Sequence, residues 1–202
     1  MNNKGARFYA GVPCLDFANT VEPRRAETEH DFVPDYAALL AWSRQADLLT
    51  PETYAALADV SEARDASGPR RASEAPVVYE RAIELREAIY RVFAGIAEGA
   101  SARADDLVAI QRAYAEAQAT AVLRPDDLTW TWPRLEPALP VWLIAIDAME
   151  LLRSNRLDRL KHCELPCAWL FLDTTKNRSR RWCSMRECGF EEKVRRQAAK
   201  RA

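Results

Sequence analysis

Four cysteines near the C-terminus are the residues best suited to chemistry in this 202-residue chain. They form two close pairs, Cys163 with Cys167 and Cys183 with Cys188, and fifteen residues lie between the pairs. This spacing suits one tetrahedral zinc ion, because each pair can form a tight turn and the loop between the pairs can be a short hairpin. All four ligands come from the protein. We therefore predict one structural Zn²⁺, with no coordination position left for a catalytic water.

Two disulfides, or four unrelated buried thiols, are the alternative interpretations of these cysteines. The chain opens without an apolar signal segment, and it has no run of about eighteen apolar residues that could span a membrane. We therefore expect a cytoplasmic protein with no membrane segment. In that compartment thiols stay reduced, and paired cysteines more often bind metal or do redox work.

The residues around the cysteines predict a small fold that depends on its metal, because about forty residues cannot bury enough apolar surface to fold alone. Residues 168–173 are apolar and predict a strand, 174–177 supply turn residues, and 178–182 would return as the second strand. Residues 190–201 contain no Gly or Pro and predict a helix. Together these elements describe a treble-clef-like finger.

The stretch 163–189 resembles the CGNR zinc-finger family, which is named after a Cys-Gly-Asn-Arg tetrad at the last ligand. In that family the finger usually follows an N-terminal ABATE domain, and residues 11–20, with Leu-Asp-Phe-Ala-Asn-Thr, resemble the start of that domain. The tetrad of this chain reads Cys-Gly-Phe-Glu at 188–191. That departure leaves zinc binding intact and weakens the DNA contact that the resemblance implies.

The resemblance implies a transcription regulator with a helical ABATE-like domain over 1–155 and a CGNR-like zinc-finger domain over 156–202. The expected fold class is mainly α with a small β-hairpin. The expected partners are DNA, a small-molecule effector and a second copy of the chain in a homodimer, without a membrane. The alternative is a zinc-stabilised protein-interaction or sensor module that does not bind DNA.

The charge distribution independently suggests a polyanionic partner. Residues 153–202 hold 14 Lys and Arg against 6 Asp and Glu, a net of +8, which leaves 15 against 24 and a net of −9 for residues 1–152. Cations on a rigid finger can neutralise phosphates. The candidate nucleic-acid contacts are Lys176, Asn177, Arg178, Arg180, Arg181, Arg195 and Arg196.

These cations also have less specific interpretations. They could form a solvated face, and Arg181 could pair with Asp173 across the predicted hairpin. In that hairpin Arg178 and Arg180 would share one strand face. Two acids at the start of the last helix, Glu191 and Glu192, would repel a phosphate there.

Apolar positions at three-and-four spacing predict a series of helices before the finger. Residues 1–33 are expected to be irregular, and 122–133 to form a hairpin. Thr50 is the predicted cap of the second helix, which would end near residue 66 before a loop over 66–73, and Ser101 of the fourth. The predicted helices cover 35–49, 50–66, 75–98, 101–119 and 137–152.

Few residues outside the finger suggest chemistry. Asp16 and Asn19 either bond to local backbone or line a small-ligand pocket, and the tryptophans at 130, 132 and 142 are either core residues or a ligand cage. Cys14 raises the further hypothesis of a redox switch together with the zinc thiolates. With only two histidines and no known nucleophile or metal-protease motif, we do not expect an enzyme.

Overall fold

The computed structural model describes residues 7–24, 30–62 and 74–201, and we number its elements within those ranges. The helices are α1 (Pro13–Ala18), α2 (Tyr36–Gln45), α3 (Pro51–Glu62), α4 (Ala75–Ala97), α5 (Ala104–Thr120), α6 (Leu139–Arg153) and α7 (Cys188–Ala199), with a short 3₁₀ helix at Leu157–Arg159. The strands are β1 (Val21–Glu22), β2 (His30–Asp31), β3 (Val122–Leu123), β4 (Trp130–Thr131), β5 (Leu160–His162) and β6 (Leu170–Leu172). The expected mainly helical fold with small hairpins is confirmed.

The helices begin and end close to where the sequence pattern places them. Thr50 caps α3, since its hydroxyl accepts the N–H of Thr53 at 3.2 Å, and Pro51 is the first helical residue. The prediction that Ser101 caps α5 is wrong, because Arg103 is the residue at the cap and its side chain makes no capping hydrogen bond. The predicted loop at 66–73 lies outside the described residues.

Helices α4, α5 and α6 pack side by side, and α1 lies against α4 and α6. The apolar face of α4 is buried along its length, as its periodicity requires. Residues 1–33 were expected to be irregular, but the described part contains α1, and β1 pairs with β2. Leu15 and Phe17 of α1 are fully buried in the same core as Ile89 of α4 and Ile144 of α6.

The hairpin of the finger has a different partner from the one predicted. Strand β6 pairs with the preceding strand β5, with Leu160 opposite Leu172 and His162 opposite Leu170. Residues 178–182 form no strand, so the predicted return strand and its shared arginine face are wrong. The reason is burial. Leu160, Leu170 and Leu172 belong to the core of the helical body, by which we mean helices α1 to α6. Residues 178–182 include three arginines and a serine, which cannot enter that core.

The N-terminal segment extends this hairpin. The N–H of Leu172 donates to the carbonyl of Ala10 at 2.9 Å, so the chain before α1 lies along the outer edge of β6. Within the described ranges, the helices are all too short or too polar to cross a membrane.

Candidate metal centre and basic surface

The first cysteine pair lies in the turn that joins β5 to β6. The N–H of Cys163 bonds to the carbonyl of Trp169 at 2.8 Å, which continues the strand ladder by one step. Within the turn that this bond closes, Ala168 adopts a left-handed φ of 49°, and its N–H bonds to the carbonyl of Leu165 at 2.9 Å. The resulting turn places Cys167 opposite Cys163.

The second pair lies at the start of α7. Cys188 is the first residue of that helix, and the N–H of Gly189 bonds back to the carbonyl of Ser184 at 2.9 Å. Gly189 is buried against Trp182 and Met185: a Cβ there would lie 3.4 Å from Cε3 of Trp182 and 3.1 Å from Sδ of Met185. The glycine therefore lets the helix start close to these side chains.

The four cysteines meet at one buried point, where their sulfur atoms all lie within 4.8 Å of one another. Sγ of Cys167 is 3.8 Å from that of Cys183, and Sγ of Cys188 is 3.5 Å from both. Tetrahedral zinc with Zn–S bonds of about 2.3 Å requires S···S separations of about 3.8 Å. A disulfide requires about 2.05 Å, so this geometry excludes one.

The donor set therefore fits a single Zn²⁺ with four thiolate ligands, and the predicted structural metal site is confirmed. Hydrogen bonds from Cys167, Cys183 and Cys188 hold the pKa of the Cys163 thiol far below its ordinary value. The hydrogen bonds of Cys183 with Cys163, Cys167 and Cys188 raise the pKa of the Cys183 thiol. Four thiols in contact cannot all ionise without a cation, which is why such a site needs its metal.

Asp173 organises the loop that joins the two cysteine pairs. Its buried carboxylate accepts hydrogen bonds from the N–H and hydroxyl of Thr175, from the N–H of Arg180 and from Nζ of Lys161 at 2.7 Å. Burial alone would raise the pKa of Asp173, but these donors together lower it well below its ordinary value. Lys161 is therefore the partner of Asp173, not Arg181.

Arg180 is half-buried and faces the hairpin and the N-terminal segment. Its guanidinium lies over the Phe171 ring at 4.3 Å and donates hydrogen bonds to backbone carbonyls on both sides of the finger. The acceptors are the carbonyls of Tyr9 at 3.1 Å, Trp182 at 2.9 Å, Leu172 at 3.5 Å and Cys183. Arg180 thus joins the N-terminal segment, β6 and the second cysteine pair. Because these contacts use most of its N–H donors, few donors remain for a phosphate.

The other predicted contacts in the loop lie on the surface. Lys176 and Asn177 are exposed, Arg178 pairs with Asp158 at 2.5 Å, and Nε of Arg181 donates to Glu164 at 2.8 Å. Arg178 and Arg181 are therefore partly neutralised by acids close to them.

Helix α7 projects from the rest of the finger. In the stretch 190–201 the only buried residue is Glu192, whose carboxylate pairs with both Arg195 and Arg196 at 2.6 Å. A cavity of about 280 Å³ runs along one side of the helix. The residues that line it are Trp182, Gly189, Glu192, Lys193, Arg196, Gln197 and Lys200.

Sequence reasoning missed Lys193 and Gln197 as members of this surface. The signal was available, because positions 189, 193, 196, 197 and 200 recur at helical spacing and must share a side once the helix begins at the last cysteine. The prediction from sequence selected basic residues by their type, without regard to the side of the helix on which each one lies.

Asp16 and Asn19 both bond to backbone. Oδ1 of Asp16 accepts the N–H of Ala10 at 2.9 Å, and the Asn19 amide pairs with both the N–H and the carbonyl of Leu170 at 2.8 Å. Burial raises the pKa of Asp16 to about 7. The Asp16 contact is local in the chain, whereas the Asn19 amide joins α1 to β6, and a ligand role for the pair stays a prediction.

Cys14 lies in the core and not at the metal centre. Its backbone N–H donates to Oδ2 of Asp147 at 2.7 Å. Burial, and then the Asp147 carboxylate, raise the pKa of its thiol well above the ordinary value. A high pKa disfavours the reactive thiolate that a redox switch would require.

Comparison with protein families agrees with both parts of the structure. Residues 11–155 match the model of the ABATE family, whose description is "Putative stress-induced transcription regulator". Residues 159–201 match the model of the CGNR zinc finger. No curated protein is similar enough to the chain to count as a match.

Proposed function

The chain belongs to the ABATE family, and from that premise we propose that it is a transcription regulator that binds DNA through helix α7 of its zinc finger. The observation that carries this proposal is the exposed basic face of α7 beside Trp182. Lys193 and Lys200 have no carboxylate partner among the described residues, so their charges are available to an external anion. The zinc site fixes the start of the helix, which limits the entropy lost on binding.

The chemistry of this face suits a nucleic acid. Lys193, Arg196 and Lys200 can neutralise backbone phosphates, and Gln197 between them carries the amide that pairs with adenine in the major groove. Trp182 adds an aromatic surface at the base of the helix. An α-helix is of a size that enters the major groove.

Glu192 restricts the number of cations on α7 that are available to DNA. It holds Arg195 and Arg196 in ion pairs, so either arginine must leave the carboxylate in order to reach a phosphate. Lys176, Asn177, Arg178 and Arg181 lie on the preceding loop and would contact DNA only as additional partners. We therefore expect the two lysines of α7 to contribute most of the salt dependence.

The test is a titration of a mixed-sequence duplex with the zinc-loaded protein at several salt concentrations. Each phosphate contact contributes about 0.9 to the slope of log K against log[salt]. Lys193→Gln with Lys200→Gln should reduce that slope by about two and weaken binding, while the zinc content stays at one ion per chain.

Arg103→Gln with Arg112→Gln is the matched control, because it also removes two exposed positive charges but from the body. This control variant should have the same slope of log K against log[salt] as the wild type. Equal affinities for wild type and the α7 variant, or affinity independent of salt, would exclude α7 as the DNA contact.

A protein-interaction role is the second candidate. Met185, Phe190 and Val194 are 64%, 62% and 48% exposed, and Phe190 and Val194 lie one turn apart on α7. Docking of a protein through this apolar strip predicts no affinity for duplex DNA in the wild type, so the same titration separates the two candidates.

We also propose that the body responds to a small-molecule effector. A cavity of about 350 Å³ between the α2–α3 turn, β4 and α6 supports this, since its lining combines Trp130 and Trp132 with Thr53 and Arg134. Apolar walls with a few polar groups are typical of ligand sites of this size. Trp130→Ala should abolish an effector response without changing the DNA affinity of the free protein.

A further inference from the structure

A second charged cavity lies where the helical body meets the finger. It has a volume of about 460 Å³ and lies between the residues that follow α6 and the loop that follows β6. We name it the junction cavity. Its charged lining consists of Arg156, Asp158, Arg159, Asp173, Lys176 and Arg178.

The charges of this lining do not balance. Four cations face two carboxylates, which leaves a net charge of +2. Asp158 is already paired with Arg178 at 2.5 Å, and Asp173 with Lys161 at 2.7 Å. Neither carboxylate is therefore free for the remaining cations of the cavity.

Arg159 is held in place by backbone. Its Nη1 donates to the carbonyl of Asp173 at 3.2 Å and to that of Thr175 at 2.9 Å. These bonds fix one side of the guanidinium and leave the charge uncompensated by any carboxylate of the described residues. Arg156 and Lys176, which also line the cavity, have no ion pair within the described ranges.

We propose that the junction cavity is a phosphate-binding site. A phosphate monoester carries about two negative charges near neutral pH and offers three acceptor oxygens, which matches the net charge and the fixed donors of the lining. A monocarboxylate would neutralise only one of the three cations that lack a carboxylate partner. Arg156 and Lys176 are the residues that would meet the phosphate, and Arg159 is a donor that backbone carbonyls already hold in position.

The position of the cavity gives such a ligand a structural consequence. Arg156 follows the end of α6, whereas Lys176 belongs to the loop between the two cysteine pairs. A phosphate held by both would tie the body to the zinc-bound loop. The phosphate could belong to a free small molecule or to a DNA backbone, and the two sources share the same recognition chemistry.

The test uses the full zinc-loaded chain in phosphate-free buffer at constant ionic strength. Calorimetric titration with inorganic phosphate should give saturable binding, and the thermal midpoint should rise with phosphate but not with equivalent chloride. Arg156→Gln with Lys176→Gln should weaken this binding by about tenfold or more, since each change removes a charge-assisted hydrogen bond.

Both of those residues are exposed, so the variant should fold, and an unchanged zinc content and helical signal would establish this. Arg103→Gln with Arg112→Gln again removes two charges outside the cavity and should bind phosphate as the wild type does. The proposal is overturned if phosphate does not saturate, or if the junction variant binds it as well as the control.

Duplex titrations then identify the source of the phosphate. If saturating phosphate lowers DNA affinity, and the junction variant also loses one to two units of salt slope, about 0.9 for each contact, the site receives a backbone phosphate. If DNA affinity is the same with and without phosphate and in the junction variant, the site receives a free phosphate-bearing molecule. The phosphate titration needs no DNA, so it can fail or succeed independently of DNA binding by α7.

Discussion

The two halves of the zinc finger differ in what holds them. Residues 160–173, with the first cysteine pair, are anchored to the body, since Leu160, Leu170 and Leu172 lie in its main core, while Trp169 and Phe171 pack in a second cluster around the cysteines. Residues 174–201, with the second pair, are largely exposed, and α7 buries little beyond its first turn. The metal draws two ligands from each half. Its role is thus to fasten an exposed helix to an anchored hairpin, rather than to fold an independent domain.

Within the described ranges, few hydrogen bonds or ion pairs join the exposed half to residues 7–153, because most of its polar contacts go to residues 158–173. Arg180 reaches the carbonyl of Tyr9, and Glu187 pairs with Arg7 at 2.8 Å. The anchored half packs its leucines in the core of the body and also bonds to it, through the Asn19 amide on Leu170 and the indole N–H of Trp169, which donates to the carbonyl of Val21 at 2.9 Å. This contrast predicts that the two halves respond differently to the same perturbation.

Removal of zinc should have the largest effect, and it should be confined mainly to the exposed half. Metal binding contributes about 10–16 kcal/mol of apparent free energy in zinc-finger peptides, and the exposed half has no core of its own to replace it. After chelation, or in Cys183→Ser, we expect amide hydrogen exchange to lose protection over α7 and the preceding loop. Protection of β6 and of α4 should persist.

Cys14→Ser is the comparison variant for this experiment, because it alters a cysteine outside the metal centre. It should retain one zinc per chain and protection over α7. Equal loss of protection in β6 and α7 after chelation would mean that the hairpin depends on the metal as much as the helix does, and the contrast between the halves would be wrong.

Arg180→Ala should have the next largest effect. It removes the hydrogen bonds that join Tyr9, Trp182 and Cys183, and it leaves part-buried carbonyls unpaired. We expect a loss of about 3 kcal/mol in the free energy of unfolding, measured by urea denaturation. Arg178→Ala, which breaks one exposed ion pair, should cost less than about 1 kcal/mol. Similar values for the two variants would show that Arg180 is an ordinary surface arginine.

Much of the anchored structure could be predicted from local sequence. The cysteine spacing identified the metal centre, and helical periodicity identified α2 to α6, because both signals depend on residues close together in the chain. The pairing of β5 with β6 was missed since Leu160, Lys161 and His162 form too short a strand to stand out. This pairing is selected because both strands are buried against α1 and α4. Those helices are distant in the chain, so a local sequence pattern does not show the burial.

The roles of individual arginines were predictable only in part. Arg178, Arg180 and Arg181 lie within four residues, and composition treats them alike. In the structure one pairs with Asp158, one binds backbone carbonyls and one pairs with Glu164. The loop turns at Arg178, whose φ is a left-handed 51°, and at the Asp173 carboxylate, which accepts the N–H of Arg180. Composition contains neither feature, so it cannot assign the three arginines their separate roles.

The last expected effect depends on pH and concerns Asp16, which stabilises the anchored half through Ala10. The N–H of Ala10 bonds to Asp16, and the carbonyl of Ala10 accepts the N–H of Leu172. Burial raises the pKa of Asp16 from 3.8 to about 7, so between these values the folded protein holds a proton that the unfolded chain releases. The contribution of the protonated group is fully present below about pH 4 and is lost as pH rises through about 7.

The free energy of unfolding should therefore fall across that window, by at most about 1.4 kcal/mol per pH unit from this group. Asp16→Asn keeps an oxygen for the Ala10 N–H and cannot ionise, so it should flatten this part of the curve. Asp126→Asn removes an exposed carboxylate, and the pH dependence of the wild type should persist in it. Hydrogen exchange locates the effect: β6 should lose more protection than α7 as pH rises, because Leu172 of β6 bonds directly to Ala10, the residue that Asp16 holds. Residues 174–201 contact this segment only through Arg180 on Tyr9 and Glu187 with Arg7 among the described bonds.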